Sequence, residues 1–267
     1  MKIMDCHVHA HGAIATDKVL QQMDINGVEK TIVLSEKDRT SLERTRANLE
    51  LTASAVRQAP DRLTGLACVN PLIPGMADLA EEALTDMGFA GFKMFSDHWY
   101  AYEERLEPFW ERMDKLRARI QFHTGILYAC EDSSRFSRPV YLEKLLHYPR
   151  IRFVMAHISW PWCEECLAVM GRMRSFVKND KSKWQSYIDL TPGTPPHIRK
   201  EAVRNAISFC GADRLMFGTD SSITNDSILK SQKGTIDSDL AIFAELGLSQ
   251  EEQEQIMYGT ACELFCS

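Results

Sequence analysis

The chain has 267 residues, of which 45% are hydrophobic and 25% are charged, and its formal net charge at pH 7 is −6. This composition is typical of a globular protein, and the acidic balance argues against nucleic acid as the main partner. The apolar runs fall far short of the roughly 20 residues that a membrane helix needs and no signal-peptide pattern opens the chain, so we expect a cytoplasmic protein without a membrane partner.

Eight short segments have the composition of β-strands, and each is followed by a helix-like stretch or a loop. In chain order they cover residues 2–9, 31–36, 63–70, 91–95, 120–125, 152–159, 185–191 and 214–220. Successive strands start about 30 residues apart, which is the length of a βα unit. The alternation predicts an α/β protein of the (β/α)8 TIM barrel type, with one domain over residues 1–267 and C-terminal helices that close the outer ring.

A doubly wound open sheet is the alternative architecture. No G-x-G-x-x-G or G-x-x-x-x-G-K-[ST] follows any predicted strand, so the phosphate-binding loops typical of that class are missing. The sequence therefore favours the barrel.

The first predicted strand ends in a pair of histidines, within the segment MDCHVHAHGA at residues 4–13. Side chains two positions apart on a strand lie on the same face, so His7 and His9 are spaced to share one metal ion. Two such histidines are also compatible with ordinary hydrogen-bonded polar residues. Further ligands decide between these interpretations.

Other polar residues end the predicted strands on the side where barrel active sites lie, which is the C-terminal side. They are His123 on the fifth strand, His157 on the sixth and Asp220 on the eighth. With His7 and His9 they form a set of imidazoles and one carboxylate. Such a set suits Zn2+ first, with Mn2+, Fe2+, Ni2+ or Co2+ as alternatives, so the pattern predicts a metal site.

The sequence resembles the amidohydrolase superfamily in the motifs DCHVH, FHTG, AHIS followed by WPWCEE, and DRLMFGTD. The resemblance covers nearly the whole chain. It points to the amidohydrolase-related branch that includes aminocarboxymuconate-semialdehyde decarboxylase and related decarboxylases, hydratases and lactonases. The chain departs from the family at Ser221 and Ser222, where an aromatic residue and a proline are common, and we expect this to alter the loop that lines the site.

The resemblance implies that His7, His9, His123 and Asp220 hold one divalent metal. Asp220 would also exchange a proton with the attacking water, and His157 would polarise the substrate or shuttle protons. We expect a hydrolase that uses metal-activated water on a small organic amide, ester or lactone. A metal-dependent non-oxidative decarboxylase of a small carboxylic acid is the main alternative, and a non-catalytic ligand-binding barrel is a remote one.

Lys93, on the fourth predicted strand, has two interpretations. In binuclear branches of the superfamily a lysine on this strand is carbamylated and bridges two metals, and the histidines of strands five and six bind the second ion. We expect an unmodified Lys93 and one metal. The alternative gives Lys93 and His157 a role in binding a second metal or in contacting the substrate.

Loops after the strands offer side chains for substrate contact, because an arginine fork suits a carboxylate and aromatic rings suit a planar body. The candidates are His98, Trp99, Tyr100, Arg135, Trp160 and Trp162. The expected partner is thus a small-molecule substrate. The sequence is compatible with a monomer and with a homo-oligomer, in particular a dimer.

Cys163 and Cys166 have CxxC spacing at the start of a predicted helix. No second CxxC accompanies them, which a structural zinc site of four cysteines requires. We therefore expect neither a zinc site nor a redox pair there.

Overall fold

The structure is a computed structural model that describes residues 1–128, 132–224 and 228–266, and these contain nine strands and nine α-helices. The strands are β1 (Met4–Ala10), β2 (Lys30–Leu34), β3 (Leu63–Cys68), β4 (Gly91–Phe95), β5 (Arg119–His123), β6 (Arg152–Met155), β7 (Ser186–Asp189), β8 (Leu215–Met216) and β9 (Ser221–Ile223). The helices are α1 (Thr16–Asn26), α2 (Leu42–Gln58), α3 (Met76–Thr85), α4 (Glu107–Lys115), α5 (Cys163–Phe176), α6 (Pro196–Cys210), α7 (Gln232–Glu245), α8 (Gln250–Glu254) and α9 (Thr260–Phe265). A 3-10 helix covers Pro139–His147, and a π-helical turn joins α8 to α9 at Gln255–Gly259.

The chain divides into two compact units, of which the first comprises Met1–Lys93 and Met216–Ser267. Its strands pair in parallel, β1 with β2, β2 with β3 and β3 with β4, and β9 pairs with the other edge of β1. In the β1–β9 ladder His9 is opposite Ser222. The segment that follows Asp220 therefore runs directly alongside the His-x-His pair.

Helix packing in the first unit follows from the sequence pattern. The side chain of Ser41 caps α2 by accepting a hydrogen bond from the backbone N–H of Arg44 at 3.1 Å. Arg46 on α2 forms a two-pronged ion pair with Glu82 on α3, with N···O distances of 2.5 and 2.6 Å. Leu49 lies on the buried face of α2. The capped amphipathic helix thus buries its apolar face and is joined to α3 by an ion pair.

The second unit, Met94–Leu215, contains the parallel strands β5, β6 and β7. Aromatic side chains form its core: the ring centroids of Trp110 and Phe122 lie 6.3 Å apart, and those of Phe122 and Phe153 lie 6.4 Å apart. Large buried rings of this kind dominate core energetics.

Across the part of the chain that the structure describes, no helix has the length and apolar character needed to cross a membrane.

The sixth strand is shorter than the sequence predicts. β6 ends at Met155 because His157, Ile158 and Ser159 all have positive φ, at 60°, 49° and 55°. Such left-handed residues cannot continue a strand. His157 therefore follows the strand instead of ending it.

The eighth strand also differs from the prediction. β8 contains only Leu215–Met216, and Asp220, with φ of 55°, separates it from β9. Ser221 and Ser222 were expected in a loop, but they belong to β9 and pair with β1. Asp220 thus lies in the short segment between two short strands.

Candidate metal centre

The first unit brings three of the predicted metal ligands into contact. The Nε2 atoms of His7 and His9 lie 3.1 Å apart, and Oδ1 of Asp220 lies 3.4 Å from Nε2 of His7 and 3.1 Å from Nε2 of His9. Four donors bound to zinc at about 2.0–2.1 Å are about 3.3 Å from one another. The three atoms therefore fit the coordination shell of one divalent ion.

Burial favours the form of His9 that a metal requires. The side chain of His7 has no exposed surface, whereas 36% of the Asp220 side chain is exposed. Burial lowers the pKa of His9; the charges of Lys93 and His11 lower it further, and Asp220 opposes the shift. A lowered pKa favours the neutral imidazole, which is the form that binds metal.

Lys93 is fully buried beside this set, with its Nζ atom 3.1 Å from Nε2 of His7. A protonated lysine only donates hydrogen bonds. Unmodified, protonated Lys93 therefore has no lone pair to offer a metal, and it lies beside the ligand set rather than in it. The unmodified Lys93 with one metal stays the prediction, and a carbamylated Lys93 that bridges two metals stays its alternative.

Asp5, which the sequence analysis did not single out, connects the two chain segments of the site. Its carboxylate accepts hydrogen bonds from the backbone N–H of His7 at 3.2 Å, the N–H and hydroxyl of Thr219 at 3.0 and 2.5 Å, and the Gln232 amide at 2.8 Å. Burial raises the pKa of Asp5 to about 6, against these hydrogen bonds, which lower it. A buried carboxylate needs such partners, so an Asp two positions before His-x-His in an apolar strand is a usable signal.

The second unit brings together the other two predicted histidines. The ring centroids of His123 and His157 lie 4.9 Å apart, and both residues are buried. Nε2 of His123 lies 3.2 Å from the carbonyl oxygen of Ile126. Because a carbonyl only accepts, Nε2 is the donor, and Nδ1 is the unprotonated nitrogen of the neutral His123 ring.

Asp189, at the end of β7, is a second buried carboxylate that the sequence analysis missed. It accepts the backbone N–H of His157 at 2.9 Å, the backbone N–H of Thr191 at 3.1 Å and the side-chain amide of Gln121 at 2.9 Å. Asp189 thus supports the backbone of His157 as Asp5 supports that of His7.

His98 and Trp99, two predicted substrate contacts, differ in exposure. His98 hydrogen-bonds to Asp97 through Nδ1 and keeps 37% of its side chain exposed. Trp99 is fully buried, with its ring centroid 6.0 Å from that of Trp110. In this structure Trp99 is a core residue, which gives no support to its predicted contact with substrate.

Tyr100 and Arg135 both pack against Phe136. The ring of Tyr100 lies 4.6 Å from that of Phe136 and 4.9 Å from that of Tyr141. The guanidinium of Arg135 lies 4.8 Å from the Phe136 ring and 3.6 Å from the carboxylate of Asp132. Their role in substrate binding stays a prediction.

Trp160 and Trp162 line a cavity of about 390 Å³ whose other walls come from α5 and α6. The guanidinium of Arg138 lies 5.3 Å from the Trp162 ring. A cavity of this size is large enough for a small organic molecule.

Solved structures share the fold of the whole chain. The 5-carboxyvanillate decarboxylase LigW from Sphingomonas paucimobilis superposes with a TM-score of 0.72 at 13% identity, over 99% of both chains. An uncharacterised TIM-barrel protein from Bordetella bronchiseptica gives 0.73 at 17% identity, over 100% of this chain and 99% of the other. An amidohydrolase from Burkholderia multivorans with bound zinc gives 0.69 at 12% identity, over 100% and 99%. The predicted (β/α)8 TIM barrel class is confirmed.

Comparison with curated proteins finds no match. The model of the family described as amidohydrolase, by contrast, matches residues 4–266, a range that includes every strand and helix of the structure. The chain belongs to the amidohydrolase family.

Proposed function

We propose that the protein is a metal-dependent hydrolase that cleaves a small organic amide, ester or lactone with water. The observation that carries the proposal is the convergence of Nε2 of His7, Nε2 of His9 and Oδ1 of Asp220 within 3.1 to 3.4 Å of one another. Packing of a core does not require two imidazoles and a carboxylate to meet in this way, whereas a divalent metal does. Membership of the amidohydrolase family supports the same interpretation.

We assign one divalent metal, zinc first, to His7, His9 and Asp220. His123 as its fourth ligand stays a prediction from the family resemblance. When bound, such an ion supplies a Lewis acid that activates water at neutral pH and polarises a substrate carbonyl. The zinc found in the Burkholderia multivorans amidohydrolase is consistent with this choice of metal.

Asp220 and His157 are the proposed proton carriers. The partly exposed Asp220 carboxylate accepts a proton from the attacking water and returns it to the leaving group. His157 polarises the substrate or moves a proton through its Nε2 atom.

A metal-dependent decarboxylase is the second candidate, because LigW, a 5-carboxyvanillate decarboxylase, has the same fold. The two reactions would use the same metal ligands but differ in whether they consume water. Hydrolysis consumes one water molecule for each substrate molecule cleaved, whereas non-oxidative decarboxylation releases CO2 and consumes no water.

The deciding experiment uses purified protein of measured metal content on a panel of esters, lactones, amides and aromatic carboxylic acids. The proposal expects about one equivalent of metal and a product that carries one oxygen atom from H2(18)O. Release of CO2 without solvent oxygen in the product identifies the decarboxylase instead. Two equivalents of metal bring Lys93 into the ligand set.

The ligand assignment is testable without a substrate. Zinc added to chelated protein at 100 times its Kd stabilises the folded state by about 2.7 kcal/mol, which raises the Tm. We expect His9→Ala to reduce this shift strongly. His11→Ala is the matched control, since the His11 ring stacks on His9 with centroids 6.4 Å apart but is not an assigned ligand. Equal Tm shifts in the two variants contradict the assignment.

A further inference from the structure

We propose that Asp189 and Thr191 are positioning residues that fix the tautomer of His157, so that its neutral ring carries the proton on Nδ1 and has an unprotonated Nε2. Only the use of His157 in catalysis rests on the proposed function. The residues that fix the tautomer all lie in the second unit.

The Nδ1 atom of His157 faces two oxygen atoms from the segment after β7. It lies 2.9 Å from the carbonyl oxygen of Pro192 and 2.8 Å from Oγ1 of Thr191. A carbonyl oxygen only accepts, so Nδ1 donates to Pro192. A neutral imidazole has a single N–H, and its Nε2 therefore carries no proton.

The carboxylate of Asp189 determines the direction of the second hydrogen bond. Oδ1 of Asp189 accepts the hydroxyl proton of Thr191 and also the backbone N–H of Thr191 at 3.1 Å. Because the only O–H of Thr191 is used on this carboxylate, its Oγ1 meets Nδ1 of His157 as an acceptor. Both oxygen atoms that face Nδ1 thus select the same tautomer.

The same carboxylate holds the backbone of His157. Oδ1 of Asp189 accepts the His157 N–H at 2.9 Å, at the first of three consecutive residues with left-handed φ. The third of them, Ser159, donates through its hydroxyl to Oγ1 of Thr124 at 2.8 Å. Left-handed φ is unfavourable for side chains such as that of Ile158, and it persists where neighbouring contacts fix it.

Gly193 completes the enclosure of the His157 ring. A Cβ atom at this position would lie 2.9 Å from Cβ of His157 and 3.4 Å from its Cγ. The segment from Thr191 to Gly193 therefore places a hydroxyl, a carbonyl and a backbone without a side chain against the Nδ1 side of the imidazole. The unprotonated Nε2 that results is the nitrogen able to take a proton or bind a metal.

The test is 15N NMR of metal-free protein labelled with 15N-histidine, recorded in the pH range where the signals no longer change. The His157 signals are identified by their loss in H157Q. We expect Nδ1 in the protonated range and Nε2 in the unprotonated range. The opposite assignment in the wild-type protein overturns the proposal.

Thr191→Val tests the positioning role, since it keeps the shape of the side chain and removes the hydroxyl. We expect the tautomer ratio to move toward the Nε2–H form by about 3- to 10-fold, the effect of one lost hydrogen bond, and D189N to move it in the same direction. Thr194→Val is the matched control, because Oγ1 of Thr194 is buried and has no hydrogen-bond partner among the described residues. Identical spectra for the two threonine variants overturn the positioning role.

The outcomes for the tautomer and for catalysis are separable. If Nε2 is unprotonated but H157Q retains full turnover, the role of His157 in the proposed function is wrong and the positioning role stands. If H157Q loses turnover while the wild-type ring carries its proton on Nε2, the positioning role is wrong and the role of His157 in the proposed function stands.

Discussion

The carboxylate of Asp5 accepts hydrogen bonds from both the backbone N–H and the hydroxyl of Thr219, at 3.0 and 2.5 Å. Thr219 precedes Asp220 in the chain, and the same carboxylate accepts the backbone N–H of His7 at 3.2 Å. Asp5 therefore fixes the relative position of His7 and Asp220, two proposed metal ligands that are far apart in the sequence.

This relationship predicts that Asp5→Asn weakens metal binding by about 10- to 100-fold, because the amide presents a donor to Thr219 or Gln232, which are themselves donors. Calorimetric titration of the chelated protein with zinc measures the change. Asp114→Asn is the control, since Asp114 is a buried carboxylate of the second unit that accepts the backbone N–H of Arg150 at 2.7 Å. An equal loss of affinity in both variants argues against a local role for Asp5.

The close contact of Gly193 with His157 predicts that alanine at position 193 destabilises the protein and lowers its activity. The added Cβ would lie 2.9 Å from Cβ of His157, so the ring or the loop must shift. We expect G193A to lower the free energy of unfolding by about 1–3 kcal/mol and turnover by at least about tenfold.

Gly234→Ala provides the comparison for G193A. Gly234 lies in α7, and an added Cβ would have no atom within 4 Å. We expect this variant to be neutral or stabilised by up to about 1 kcal/mol. Denaturant unfolding and steady-state kinetics compare the two, and a G193A protein with wild-type stability and rate shows that the loop does not confine the ring.

Trp99 and Trp110 form a matched pair of buried tryptophans with different hydrogen bonding. Nε1 of Trp110 donates to the carbonyl of Ala101 at 3.1 Å, whereas Nε1 of Trp99 has no partner among the described residues. We expect W110F to cost about 1–3 kcal/mol more than W99F, because only W110F leaves a buried carbonyl without its donor. Urea unfolding measures both. An increased KM in W99F, against the unchanged value expected for a core residue, indicates contact with substrate.

Cys163 provides a prediction for pH dependence. Burial raises the pKa of Cys163 from 9.0 to about 11, and the neighbouring Glu164 adds to the shift while a backbone hydrogen bond opposes it. Only the thiolate reacts with iodoacetamide, and a raised pKa means less thiolate, so labelling at pH 8 is about 100-fold slower than for an ordinary thiol. The rate rises about tenfold per pH unit up to a pH near the pKa. Peptide mass spectrometry follows the labelling, with urea-unfolded protein as the reference, and a rate that is already maximal at neutral pH contradicts the prediction.

The period of a β-strand and the alternation of strands with helices were sufficient to predict the barrel fold. The same period places His7 and His9 on one face of β1, and their Nε2 atoms lie 3.1 Å apart in the structure. These features are local, so they are readable from neighbouring residues.

Features that depend on distant partners or on backbone dihedrals were not predictable. The apolar run around His157 continues past Met155, and nothing in its residue types reveals the left-handed turn. Ser221 and Ser222 have no strand-like composition, and their strand exists because β1 offers them an edge. The partners of Asp5 and Asp189 become visible only once the chain is folded.

The left-handed turn at residues 157–159 does not stand by itself. Its first N–H is held by Asp189 at the end of β7, and its last hydroxyl by Thr124, just after β5. Grafting this turn alone onto another barrel would leave both contacts behind. Chimeras of related barrels should therefore exchange the piece from β5 through Thr191 as one block, with crossover points placed outside it.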